Sequence, residues 1–147
     1  MKIYVLGSSH FKEHMVECKE KLCGLGYDGW IHPHYEAFVR GERQDIMKRW
    51  ATNDPAERAN IKRENNYLQD HYKHILESDA VLIVNDEKNG IENYIGGNVL
   101  IEMGQAFVNG KKIYFLNRMP KDMSYQAEIE CMDPICLDGD LANIGTR

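Results

Sequence analysis

Residues 78–117 limit the possible folds more than any other stretch. Asp79 precedes five apolar residues, Ala80-Val81-Leu82-Ile83-Val84. The run is too short for a helix and rich in β-branched side chains, so it reads as a strand buried on both faces. A polar loop over 85–97, carrying Gly90, Gly96 and Gly97, empties into a helical segment over 98–109, which feeds a second apolar run, Ile113-Tyr114-Phe115-Leu116. Strand, loop, helix and strand make a βαβ unit. Its right-handed crossover makes the strands parallel, and ligands of such sheets collect at the carboxyl ends of the strands, where this loop lies. Glu102, in the first turns of the helix, faces that place.

The rest of the chain supplies further strands and helices around this unit. Residues 2–6 read as a first strand, and Gly7-Ser8-Ser9-His10 after it as a turn of small residues leading into a helix. Such a turn can cradle a phosphate on backbone N–H groups; ordinary turn and N-cap chemistry is the other reading. Phe11, Met15, Cys18 and Leu22 recur at helical spacing, giving a helix over 11–25 closed by Gly24 and Gly26. Trp30 and Ile31 suggest a second strand, and His32-Pro33-His34-Tyr35 a turn. Residues 36–57 are charged and lack a clean period. They read as a helical flap over a ligand or as a solvated connection. Ile61, Leu68, Tyr72, Ile75 and Leu76 predict one long helix over 56–77. A short helix over 125–132 and a strand over 135–137 follow. Five strands alternating with helices predict a single α/β domain over 1–147, a three-layer doubly wound parallel sheet of flavodoxin-like order 2-1-3-4-5.

Bulk properties narrow the partners. With 147 residues and 43% apolar content the chain is one domain with a real core, and a net charge of −5 argues against a nucleic-acid polymer as ligand. No apolar run approaches the roughly 18 residues of a membrane span, and the first residues lack a signal peptide's apolar region, so a cytoplasmic protein without membrane contact is expected. Cys18 and Cys23, five apart on a helix, point off a common face, and Cys131 and Cys136 flank a proline without CxxC spacing; buried thiols in a reducing compartment are the expectation. His32 and His34 are separated by Pro33 and have no third ligand nearby, so no metal is expected. A flavin is disfavoured because the first turn lacks a run of hydroxyl residues, and no cofactor is expected.

The segment 96–106 carries the chemistry. Gly96 and Gly97 leave the backbone bare for close ligand approach, Asn98 is a natural N-cap, and Glu102 lies one turn in, where the helix dipole favours its ionised form. An equally simple reading makes Glu102, Gln105 and Asn109 a solvated polar stripe opposite Leu100, Met103 and Phe107.

These residues resemble the nucleoside 2-deoxyribosyltransferase superfamily, which includes 2′-deoxynucleoside 5′-phosphate N-hydrolases. The resemblance rests on Lys2-Ile3-Tyr4-Val5-Leu6-Gly7-Ser8, Ser78-Asp79-Ala80-Val81-Leu82, the Glu-x-Gly-x-Ala core of 102–106, and Gly110-Lys111-Lys112-Ile113. It implies a retaining N-glycosidase in which Glu102 attacks C1′ of a deoxyribose, expels the base, and is released by water or a second base. It also implies Tyr4 beside the nucleophile, Gly7 and Ser8, with Ser9, at a phosphate, and a homodimer or higher homo-oligomer. Transferases of this family carry an aspartate where this chain has Gly96; the nucleotide hydrolases have a small residue there, which leaves room for a 5′-phosphate. The family's base-side aspartate falls at His71, with Asp70 next door. His71, with a reference pKa near ~6.5, is then the candidate acid, a helix-surface histidine being the alternative. Asp79, Asn85, Gly96, Gly97 and Asn98 complete the expected substrate-binding set, Asp79 also as a cap on its strand. The expected ligand is a small deoxynucleoside or deoxynucleotide. A non-catalytic nucleotide-binding or sensor module on the same fold is the competing function.

Overall fold

The computed structural model describes residues 1–146. Five strands, β1 (Lys2–Gly7), β2 (Asp28–Ile31), β3 (Ala80–Val84), β4 (Lys112–Phe115) and β5 (Ile135–Cys136), form one sheet in the order β2-β1-β3-β4-β5, every pair parallel. Among the described residues seven α-helices accompany them: α1 (Lys12–Gly24), α2 (Pro33–Val39), α3 (Gln44–Ala51), α4 (Pro55–Glu64), α5 (Tyr67–Leu76), α6 (Gly97–Val108) and α7 (Gln126–Cys131). This is the doubly wound, flavodoxin-like order expected from the alternation of apolar runs.

The period-two alternation of strands sorts the core into two clusters, one on each face of the sheet. Ile3, Val5, Ala80, Leu82, Val84 and Tyr114 meet Met15, Cys18 and Leu22 of α1. Tyr4, Leu6, Val81, Ile83, Ile113 and Phe115 meet Ile75 of α5, Val99, Met103 and Ala106 of α6, and Ile129 of α7. All five residues of β3 are buried, which is why that run lacks a polar face. Each aliphatic side chain so buried contributes roughly 1.5–3 kcal/mol.

Four local expectations are corrected. The long helix over 56–77 is two helices, because Asn66 takes left-handed backbone (φ 52°) and Asn65 closes α4, its Nδ2 donating to Ile61 O at 2.8 Å; asparagine enters that region at little cost. His32-Pro33-His34-Tyr35 is a helix start: His32 is the N-cap of α2, its ring accepting from His34 N, and Pro33 occupies the first helical position. Gly96, not Asn98, is the N-cap of α6, and Asn98 lies within the first turn, where its Oδ1 accepts from Lys62 Nζ. The polar stripe on α6 does not exist. Glu102 is 4% exposed, whereas Ile101, Phe107 and Val108 face outward. The buried arc of α6 is set by what it packs against, β3, β4 and α5, and the carboxylate lies within that arc.

Candidate active site

A cavity of about 750 Å³ opens above the carboxyl ends of β1 and β3. The β1–α1 turn (Gly7, Ser8, Ser9), the start of α2 (His34, Tyr35), and the amino end of α6 (Gly96, Gly97, Asn98) contribute to its wall, with His71 and Glu102 at its base. Helix α3 closes another side with Ile46, Met47 and Trp50, so part of the charged segment 36–57 is a cover over the cavity.

Most of the residues picked out from sequence converge here, and three do not. Gly7, Ser8, Ser9, His71, Gly96, Gly97, Asn98 and Glu102 line the cavity. Tyr4 is fully buried on the same face of the sheet and reaches the cavity through His71, its hydroxyl hydrogen-bonded to His71 Nδ1. Asp70 points instead to His32, Oδ2 to Nε2 3.7 Å, with about half its side chain exposed. Asp79 sits at the amino end of β3, the opposite end of the sheet, where its Oδ2 accepts from Lys2 N at 2.6 Å; only the capping role survives. Asn85 is a buried tie between strand ends: its Nδ2 donates to Arg118 O (2.8 Å) and its Oδ1 accepts from Asn117 N (2.9 Å). Ser8 spends its hydroxyl as an N-cap, accepting from His10 N at 3.3 Å, so the β1–α1 turn has the ordinary cap chemistry as well as a place in the cavity wall.

Around Glu102 the electrostatics are those of a dry site. Burial pushes the Glu102 carboxyl up to about 8, with Lys62 pulling the other way. Burial, then the neighbouring His32, His74 and Lys62, push His71 down to about 3, so its imidazole is neutral. His71 Nδ1 stands 3.5 Å from Glu102 Oε1. Burial and then the Glu102 charge hold the Tyr4 hydroxyl well above the usual phenol range. A hydroxyl that keeps its proton donates to Nδ1, which leaves the ring proton of a neutral imidazole on Nε2.

Several cavity residues escaped the sequence reading. His34 is pushed down to about 2 by burial and the adjacent His32 and His71, packs 5.4 Å from the Phe38 ring, and leaves its buried Nδ1 without a hydrogen-bond partner. Arg58, Lys62 and Lys88 add positive charge to the wall. Arg58 and Lys62 were legible only as an i, i+4 pair on one helix face, a pattern that solvated helices share. Among the described residues, no group of three or more His, Cys, Asp or Glu side chains has the arrangement of a metal site; all four cysteines are thiols, but against the expectation of buried thiols only Cys18 is buried, Cys23 and Cys131 being exposed and Cys136 half-buried. No helix among them is long and apolar enough to cross a membrane.

Comparison with known proteins yielded no family-model match, and neither curated proteins nor solved structures gave a match. The functional reading therefore rests on the geometry above and on the resemblance of the motif residues.

Proposed function

We propose that this chain is an N-glycosidase of the nucleoside 2-deoxyribosyltransferase type, cleaving the N-glycosidic bond of a 2′-deoxynucleoside or its 5′-monophosphate with Glu102 as nucleophile. One observation carries the reading: a carboxyl buried at the base of a nucleotide-sized cavity, 3.5 Å from a neutral imidazole. A Glu102 oxygen forms a bond to C1′ as the C1′–N bond breaks. The proton that Glu102 holds in the empty site passes to His71 Nδ1 as the Tyr4 hydroxyl turns from donor to acceptor at that atom, and the Nε2 proton goes to the departing base, so the base leaves neutral. Water then opens the glycosyl ester: its OH goes to C1′, its other proton to His71 Nε2, and the Nδ1 proton returns to the Glu102 carboxylate, which restores the starting state. Tyr4 orients the imidazole throughout. Gly96, where a transferase of this type has an aspartate, favours water over a second base as acceptor.

A second reading, nucleotide binding without turnover, is favoured by the same raised pKa, since a protonated Glu102 can donate a hydrogen bond to a sugar hydroxyl. Incubating the protein with deoxynucleosides and their 5′-phosphates and assaying free base separates the two. Release that disappears in Glu102→Gln supports the glycosidase; binding without release supports the sensor, and release that persists in Glu102→Gln removes the assigned nucleophile.

The homo-oligomer that the resemblance implies has a candidate face. Leu68, Tyr72 and Leu76 on α5, and Ile101, Phe107 and Val108 on the adjoining α6, leave apolar side chains in solvent, Val108 at 78% exposure. Exposed apolar side chains on two adjoining helices are candidates for association, Leu68 among them also lining the cavity.

A further inference from the structure

One wall of the cavity carries more positive charge than a monophosphate needs. Arg58 and Lys62 lie one turn apart on α4, and both stand over the Trp50 ring, 4.7 Å and 5.5 Å from its centroid. Lys88 reaches the same cavity from the β3–α6 loop, its Nζ 5.0 Å over the Tyr94 ring. All three are half-buried. None has a carboxylate within ion-pair distance among the described residues: Arg58 donates from Nε and Nη2 to Trp50 O (3.2 Å each), and Lys62 Nζ donates to Asn98 Oδ1.

Carboxylates are not scarce in this chain. It has 23 against 18 Lys and Arg, and some basic groups are matched, as in Arg49 with Glu57 and Glu64, Arg40 with Glu42, and Lys19 with Glu36, yet among the described residues no carboxylate pairs with the three that face this cavity. Three unmatched, half-buried cations in one wall cost mutual repulsion and desolvation. Burial first, and Arg58 after it, pulls both Lys62 and Lys88 below the usual lysine range. Lys62 is tied to the first turn of α6 by its bond to Asn98; Arg58 lies one turn of α4 away, about 6 Å along the helix axis; Lys88 enters the same cavity from the β3–α6 loop. The amino end of α6 together with Lys62 matches the charge of one phosphate. Arg58 and Lys88 remain, a guanidinium and an ammonium facing the same space.

We propose that the cavity takes a nucleotide whose 5′ end carries two or three phosphates, the first at Lys62 and the Gly97–Asn98 turn and the distal ones between Arg58 and Lys88. This placement rests on the reading that puts the sugar over Glu102, but its binding chemistry does not depend on turnover.

Calorimetric titration of the full chain, in EDTA and low salt, with the 5′-mono-, di- and triphosphates of the four deoxynucleosides, and with inorganic phosphate and pyrophosphate, tests the proposal. The expected result is at least tenfold tighter binding of di- or triphosphate than of monophosphate, and of pyrophosphate than of phosphate. Arg58→Ala and Lys88→Ala each remove most of that preference while leaving monophosphate affinity within about twofold, with melting curves confirming the fold. Equal or tighter monophosphate binding, a preference that survives in the double variant, or no binding of any probe overturns it. A polyphosphate preference in a protein that releases no base from any substrate sinks the glycosidase reading and leaves this one standing; base release from monophosphates without the preference does the reverse.

Discussion

Nδ1 of His71 lies 3.5 Å from Oε1 of Glu102 and is at the same time the hydrogen-bond partner of the Tyr4 hydroxyl. The three side chains belong to α5, α6 and β1, and all are buried, so one proton position is decided by the packing of a strand and two helices. Burial keeps that proton on Glu102 up to about pH 8 in the empty site.

Replacing Glu102 by Gln removes the proposed nucleophile and is expected to lower base release on the order of 10³-fold or more. The same variant should be more stable than the parent. The folded pKa of Glu102, about 8, exceeds that of an unfolded glutamate, so its favourable contribution is complete below about pH 4.5 and is lost as pH rises through 8. Melting curves should show the variant and the parent alike at pH 4, and the variant ahead by about 4 kcal/mol at pH 8. A variant no more stable at pH 8 contradicts the buried, protonated carboxyl.

Tyr4→Phe deletes the donor to His71 Nδ1 without opening a cavity. About 1 kcal/mol of stability should go with the hydrogen bond, and the loosened imidazole tautomer should cut base release roughly 10–100-fold. Because Tyr4 acts through His71, the pH dependence of turnover should shift along with the rate; an unaltered profile assigns the tyrosine to packing alone.

Acid should weaken the fold through the imidazoles. His34 and His71 are held neutral, at about 2 and about 3, whereas unfolded histidines titrate near ~6.5. Stability is therefore complete above pH 6.5 and declines as pH falls toward those values, the opposite direction from Glu102. His34→Gln should retain about 2 kcal/mol more of its neutral-pH stability at pH 5 than the parent does, as read from urea titrations at both pH values.

Two glycines separate packing from ligand approach. A Cβ on Gly29 would lie 2.7 Å from Lys19 O and 3.0 Å from Leu22 Cβ, so Gly29→Ala should destabilise by about 1–3 kcal/mol. A Cβ on Gly97 meets nothing within 4 Å. Gly97→Ala should leave the melting temperature unchanged or slightly raised, yet weaken phosphate binding if the α6 amino end is where the anion lies. Phosphate binding undiminished in Gly97→Ala removes that placement.

Val108→Lys places a charge on the outer face of α5 and α6. Sedimentation velocity should show the parent as a homo-oligomer and the variant dissociated, with the fold intact because Val108 has almost no intramolecular packing. A parent that sediments as a monomer at all concentrations leaves the apolar face to another partner.

The sheet was readable because a fully buried parallel strand such as β3 leaves an uninterrupted β-branched run, and each helix between strands leaves an apolar period. Glu102 was singled out from sequence, but its burial was not. Local sequence places a carboxylate on a helix without saying which arc of that helix is buried, and exposed Phe107 and Val108 misdirected the pattern. The break at Asn66 escaped because the apolar spacing runs through it; what changes there is one backbone dihedral, which the residue permits without requiring. Arg58, Lys62 and Lys88 were illegible for a different reason. Their distinguishing property is convergence on one cavity wall without a counter-ion, which exists only once distant segments have been brought together.

That break has a consequence of its own. On its far side α5 is seated on the sheet through Ile75 and carries His71. On its near side α4 is bound to α3 by Arg49, which bridges to Glu57 and Glu64 near the two ends of α4. A single left-handed residue thus sets the angle between a helix seated on the sheet and a helix tied to the cavity cover, and Lys62, bonded to Asn98, is what links the second back to the start of α6.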